Sequence, residues 1–182
     1  MSASTRSRAA SVAALALCAL VATGAPPAQL PELVRAAAPS LQLQGSGEIT
    51  YFGLSIYDAS YWSATPGFSY AKPFALDIVY HRDFEGYRLA ARSIEEIEKL
   101  GYGNETDREQ WKAMLVRLLP DVRKGDRLVA LYFPEQGAQL FVNGRMTAAF
   151  EGPTLAHVFF AIWFDRRTSR PELRRKLLGE AP

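Results

Sequence analysis

Cysteine and histidine are nearly absent from this 182-residue chain, with one of the first and two of the second. A single thiol closes no disulfide, and so few ligands cannot build a His/Cys zinc cluster. Excess charge is missing as well. Lys plus Arg number 21 and Asp plus Glu number 19, without the basic surplus of a dedicated nucleic-acid binder, so no nucleic-acid partner is expected. No apolar run reaches the roughly 20 residues that cross a bilayer. Repeats and low-complexity tracts are absent too. What is plentiful is apolar material: 48% apolar residues and 12% aromatics against 22% charged. That composition excludes disordered, collagen-like and coiled-coil classes and suits one globular domain.

Residues 1–25 have the layout of a cleavable secretory signal peptide. Arg6 and Arg8 precede an uncharged stretch from Ala9 to Ala22, and small residues follow at Ala22, Thr23, Gly24 and Ala25. Cys18 lies inside the apolar run after Leu17, which is not the setting of a lipoprotein cysteine. Cleavage would remove the only cysteine and two arginines, leaving 19 charges of each sign. Export to the periplasm is therefore expected.

Residues 26–39 read as an irregular, proline-marked lead-in with room for one short helix near Leu30–Ala37. Residues 40–179 read as a single α+β domain. Gly45-Ser46-Gly47 looks like a turn. From Ile49 to Tyr61 the alternation predicts one strand, with Phe52, Leu54 and Ile56 on one face and Tyr51, Gly53, Ser55, Tyr57 and Tyr61 on the other. Phe74–His81 is a second apolar-alternating strand. The period then becomes helical over 87–100, with Leu89, Ser93, Ile97 and Leu100 in a stripe and Gly101 as the stop. Thr106-Asp107-Arg108-Glu109 reads as a capping box. It precedes Trp111, Met114, Leu115 and Leu118 at helical spacing. Leu128–Phe133, Gln139–Val142 and Arg145–Phe150 form a meander, whose Asn143-Gly144 is a strong hairpin signal. An apolar helix opens at Gly152-Pro153-Thr154, and Ser169-Arg170-Pro171-Glu172 is expected to cap a last helix. Strands, two helices, three strands and two helices argue an antiparallel sheet with helices layered on one face.

Catalytic motifs are scarce. His81-Arg82-Asp83 spells the start of a kinase catalytic loop, but no glycine-rich phosphate loop precedes it and no DFG follows. Gly45-Ser46-Gly47 lacks the helix of a dinucleotide site, and no serine sits in a GxSxG elbow. No cofactor and no metal site is expected. Glu95, Glu96 and Glu98 read as a solvated helix face with pairs Arg92–Glu96 and Glu95–Lys99. His157, on an apolar helix, reads as a packed histidine. The cluster Arg166, Arg167, Arg170, Arg174, Arg175 and Lys176 offers peripheral contact between a basic C-terminal helix and a membrane surface. The candidate site is the polar face of the 49–61 strand. Glycine inside a strand suggests close approach, and Tyr51, Gly53, Ser55 and Tyr57 would floor a pocket that is apolar in body and polar at a few points.

The runs GSGEITYFGLSIYDASYW, DIVYHRDFEGYRLAARSIEEIEKLG, DVRKGDRLVALYFPEQGAQLFVNGR and HVFFAIWFDRRTSRPELRRKLLG resemble the bacterial, secreted branch of the chalcone isomerase-like proteins. The resemblance implies an open-faced β-sandwich: a large antiparallel sheet, helices layered over it, and a ligand cleft between. It divides the expectations between true isomerases and non-catalytic members, some of which bind fatty acids. Plant isomerases use an arginine after a Gly-x-Gly turn to steer an oxyanion. On this sequence that position falls on Ile49, or on Ser40 if counted back from Tyr57. A threonine of the plant site falls on Phe52, a helix asparagine on Arg92, and a tyrosine on Glu85. The plant catalytic set is therefore not expected here. Arg92, which the helical wheel places beside the exposed side of its stripe, is the remaining candidate to hold a ligand carboxylate. The resulting expectation is an exported, non-catalytic binder of an apolar or fatty-acid-like ligand, whose recess is ringed by phenols and lacks a cation. The alternatives are an isomerase of intramolecular-lyase type, and an envelope interaction protein with a filled cleft.

Overall fold

The computed structural model describes residues 29–180; the expected signal peptide lies outside them. Six strands form one antiparallel sheet in sequential order. They are β1 (Gln42–Tyr51), β2 (Leu54–Ser63), β3 (Phe74–Tyr80), β4 (Arg127–Phe133), β5 (Gly137–Val142) and β6 (Arg145–Glu151). The helices are α1 (Glu32–Ala37), α2 (Gly86–Lys99), α3 (Glu105–Leu118), α4 (Pro153–Phe164) and α5 (Pro171–Leu177). Every connection within the sheet runs between neighbours, so the strand order follows from local hairpins and one α2–α3 excursion between β3 and β4.

Strand alternation divides the sheet into two faces. Phe74, Leu76, Ile78, Leu128, Ala130, Tyr132 and Leu140 point to the main core, where the strongly apolar α4 contributes Phe159, Phe160 and Phe164. On the reverse face Trp62, Ala75, Val129, Leu131 and Phe141 are covered by Leu30, Val34 and Ala38. The lead-in helix α1 thus caps the back of the sheet, while the other helices layer over its front. Its buried position comes from Val34 alone within the helix, a signal too short for a helical period to show. Asp77, buried on β3, pairs with Arg127 (Nη2–Oδ2, 2.6 Å), whose guanidinium also donates to the Gln29 carbonyl at 2.7 Å.

Several local expectations need correction. The predicted strand from Ile49 to Tyr61 is two strands joined by a tight turn. Phe52 and Gly53 both take positive φ, 48° and 74°, the pair that a two-residue hairpin requires. Gly45-Ser46-Gly47 is not a turn but the middle of β1, with a register shift between Leu43 and Gly45. Its glycines admit the C-terminal turn of α5: a Cβ at Gly45 would lie 2.0 Å from the Lys176 carbonyl oxygen. Helix α3 is capped two residues earlier than the sequence suggests. The Asn104 side chain accepts from the Asp107 N–H, and Asp107 accepts from the Asn104 N–H, both at 2.9 Å. Met114, expected in the buried stripe of α3, is exposed, and only Leu115 of that helix is fully buried. Ser169 does not cap α5; its hydroxyl is engaged elsewhere, as described next.

Candidate ligand cavity

Helix α2 arches over the tip end of the sheet because both of its ends are fastened. At its start the Gly86 N–H donates to Asp121 Oδ1 at 2.7 Å, and Phe84 and Val122 form an isolated antiparallel bridge. A side chain at residue 86 would collide with the Leu119 carbonyl, which a Cβ would approach to 2.2 Å. At the far end Gly101 takes φ 80° and stops the helix. Between α2, α4 and the sheet front lies a cavity of about 990 Å³. Its body is apolar: Ile49, Ile78 and Leu128 from the strands, Leu89 from α2, Phe159 and Trp163 from α4. The cleft is therefore open rather than filled, contrary to the scaffold expectation.

Two phenols stand in this body. The Tyr57 oxygen accepts from Trp163 Nε1–H at 3.1 Å, which leaves its own proton free. Burial pushes the Tyr57 hydroxyl up to about 12, with the Trp163 bond opposing the shift. Tyr80 is 6% exposed, lines the same cavity, and among the described residues has no hydrogen-bond partner for its hydroxyl. Burial pushes its ionisation up as well, with a smaller contribution from Tyr57. The rings sit edge to face at 6.1 Å between centroids. Both are thus neutral donors aimed at whatever occupies the hollow.

The rim is charged. Arg88, Arg92, Arg123 and Arg170 all line the cavity. The expectation of a recess without a cation is therefore overturned. The arginines arrive from α2, from the α3–β4 connection and from the segment before α5, so no position in β1 had to supply one. Ile49, the aligned position in β1, remains apolar and lines the wall. Arg92, the candidate for a ligand carboxylate despite a helical position beside the exposed side of its stripe, reaches the cavity. It stands at the rim, half exposed, bridging Glu95 (2.7 Å) and Glu96.

Glu96 corrects the reading of a solvated acidic face. It is 7% exposed and lines the cavity. The Ser169 hydroxyl donates to its Oε2 at 2.5 Å, and Lys99 Nζ lies 3.0 Å from its Oε1. Lys99 thus pairs with Glu96 rather than with Glu95. Burial alone would raise the Glu96 carboxyl; Ser169, Lys99 and Arg92 together outweigh it and hold the group below its usual range.

Of the residues expected at the site, the structure brings Tyr51, Tyr57 and Arg92 to the cavity wall. Gly53 is a turn residue with open space around it, since the chain reverses there rather than continuing as a strand. Ser55 is not among the lining residues; its hydroxyl is buried without a partner, and its carbonyl accepts from Arg82 Nε at 3.3 Å. Tyr80, Arg88, Arg123 and Arg170 are not among the residues expected at the site, and Arg170 was read only as part of the basic C-terminal cluster. Tyr80 was visible as an inward residue of its strand; nothing local marks the arginines.

Other polar clusters lie apart. Glu48, Asp58 and His81, on the opposite face of the sheet, bring one ligand atom each to within 4.8 Å of one another. Their chemistry could hold a divalent ion, although His81 Nε2 already lies 3.0 Å from Asp58 Oδ2. His157 is a packed histidine, with Nε2 2.7 Å from the Tyr132 hydroxyl oxygen. A second hollow of about 710 Å³ beside Phe68 and Phe164 is rimmed by groups bonded to each other. There Arg167 foremost, and the Tyr102 hydroxyl as well, hold the Asp165 carboxyl far below the carboxylate range against the effect of burial.

A sheet with helices on its front and a ligand-sized hollow between the layers defines an open-faced β-sandwich with an internal cleft. The chain belongs to the chalcone isomerase-like family, which it matches over residues 26–179. It is 26% identical to an uncharacterized protein of Haemophilus influenzae over 137 residues, 75% of this chain and 67% of the relative. Among solved structures it resembles the fatty-acid binding protein 1 of Arabidopsis thaliana, with a TM-score of 0.56. That likeness covers 77% of this chain and 87% of the plant protein at 10% identity, and shows a shared fold.

Proposed function

We propose that this chain is an exported, non-catalytic member of its family that binds an apolar, fatty-acid-like ligand between the sheet and α2/α4. The observation that carries this reading is the cavity: about 990 Å³, apolar along Ile78, Leu128 and Phe159, with unclaimed phenol protons on Tyr57 and Tyr80. An alkyl chain would lie against the apolar wall, and its oxygen-bearing end would accept from the phenols or meet the rim arginines. The plant protein of the same fold, described as fatty-acid binding, supports the reading. Displacement of a fluorescent fatty acid by unlabelled long-chain acids tests it. Saturable, competitive binding is expected; absence of saturable binding, together with no lipid in an organic extract of the purified protein, overturns it.

Export to the periplasm rests on Arg6, Arg8 and the uncharged stretch that follows. Mass measurement of the protein released from the periplasm should show a chain shortened by about 25 residues; an intact, cytoplasmic chain overturns this part.

The rim arginines favour one second reading, an isomerase of intramolecular-lyase type, because a cation beside a phenol-lined hollow stabilises an enolate or phenolate. Absorbance assays across several chalcone-type enones decide it, and the absence of turnover removes the flavonoid version.

A further inference from the structure

The reverse face of the sheet is covered only in part. The segment Leu30–Ala38 packs over Trp62, Ala75, Val129 and Leu131. The same face also carries a hollow of about 350 Å³, lined by Ser46, Glu48, Asp58, Ser60, Asp77 and Arg127. Strand alternation puts these residues together. Positions 46 and 48 of β1, 58 and 60 of β2, and 77 of β3 all point away from the main core, which takes their neighbours Ile49, Ala59, Leu76 and Ile78. His81, just past the end of β3, continues this alternation. Its backbone is fixed by donation of its N–H to the Ile56 carbonyl at 2.9 Å.

The charges of this hollow do not balance. Three carboxylates line it against a single guanidinium. That guanidinium, Arg127, is committed to Asp77 through contacts of 2.8 and 2.6 Å. Glu48 and Asp58 are left directly opposite each other in the β1–β2 register, an arrangement in which like charges destabilise a strand pair. His81 lies against Asp58, with Nε2 3.0 Å from Oδ2. Among the described residues Glu48 has no ion pair and no hydrogen bond.

Glu48, Asp58 and His81 bring one ligand atom each to within 4.8 Å of one another. A divalent cation among them would join two carboxylates and a neutral imidazole into a site of zero net charge. The donor types narrow the ion. An imidazole nitrogen beside carboxylate oxygens suits zinc and its transition-metal neighbours, whereas magnesium and calcium favour oxygen ligands alone. Two ligands bonded at about 2.0 Å to a tetrahedral ion stand about 3.3 Å apart. His81 and Asp58 already hold nearly that spacing, and Glu48, exposed on the edge strand, has rotamer freedom to close in.

We propose that Glu48, Asp58 and His81 bind a divalent transition ion of the zinc type, with water completing its coordination, and that the ion fastens the edge strand β1 to β2 and β3. This site lies on the opposite face of the sheet from the cavity and does not depend on the ligand-binding reading.

The untagged full chain carrying Cys18→Ser, which removes the only thiol, is titrated with Zn²⁺ alone in a non-chelating buffer. Calorimetry should show saturable binding of one ion per chain, at least about tenfold tighter for Zn²⁺ than for Mg²⁺. Zn²⁺ should also raise the melting temperature, because the ligands converge only in the folded state. Glu48→Gln keeps the shape of the side chain and removes its charge. It should weaken Zn²⁺ binding about tenfold or more, as should His81→Ala. Glu109→Gln, at an exposed acid on α3, should leave the affinity unchanged. Absence of saturable Zn²⁺ binding, equal affinity for Mg²⁺, or full affinity in Glu48→Gln overturns the site. An equal loss in Glu109→Gln overturns it too, as general attraction to surface acids. If His81→Ala does not fold, Glu48→Gln decides alone: a tenfold loss supports the site and an unchanged affinity removes it.

Discussion

Glu96 shows how one residue changes meaning between sequence and structure. In the sequence it is one of three acids on a charged helix, and only the fold reveals that Ser169, 73 positions away, turns it into a buried, fully bonded carboxylate. Its depressed ionisation means the native state prefers the charged form. The stability this adds is complete above the unfolded glutamate range, near about 4.3, and fades as pH falls through the lower folded value. Glu96→Gln should therefore flatten the acid limb of a Tm-against-pH curve below about pH 5, a point checked by thermal melts. Tyr57 acts in the opposite sense. Because its hydroxyl does not ionise until about pH 12, it remains a donor throughout the working range. Tyr57→Phe should weaken fatty-acid affinity about five- to tenfold through loss of one hydrogen bond, with no change in that ratio between neutral and mildly alkaline pH. Titration binding at both pH values checks it.

At the scale of elements, glycine content decides which surfaces can meet. The β1 glycines permit the end of α5 to rest directly on the strand, and β1 is the edge that helps wall the cavity. Gly45→Ala should cost about 3 kcal/mol by overpacking, because the atom it would strike is backbone and cannot swing away. Urea denaturation measures this, with a lowered midpoint and an unchanged slope expected. Most elements were legible because each has a self-contained signal: the alternation of β3, the Asn143-Gly144 turn, the strongly apolar run of α4. The hairpin at Phe52-Gly53 was not, since a phenylalanine at a positive-φ position breaks the usual turn chemistry and the apolar alternation continues across it. The α3 cap was misplaced for a related reason: Thr106 to Glu109 imitates a capping box, and only the backbone decides that Asn104 and Asp107 form it.

For the whole molecule, the α1 cover is tied to the reverse face of the sheet by charge. Arg127 joins Asp77 within the sheet and the Gln29 carbonyl in the segment leading to α1. Arg127→Met would leave Asp77 buried without a partner and should lower stability by about 3 kcal/mol, which thermal or denaturant unfolding would register. If the loss is under about 1 kcal/mol, the pair behaves as a surface salt bridge instead.

The single antiparallel sheet, the succession of strand and helix regions after the first hairpin and the apolar side of most elements were legible in the sequence alone, because periodicity and turn chemistry act over a few residues. The cavity's cations, the burial of Glu96, the free phenol of Tyr80 and the α1 cover on the reverse face were decided only by tertiary structure. Those features depend on side chains from separate elements converging in space, and nothing in the local spacing of residues encodes where elements far apart in the chain come together.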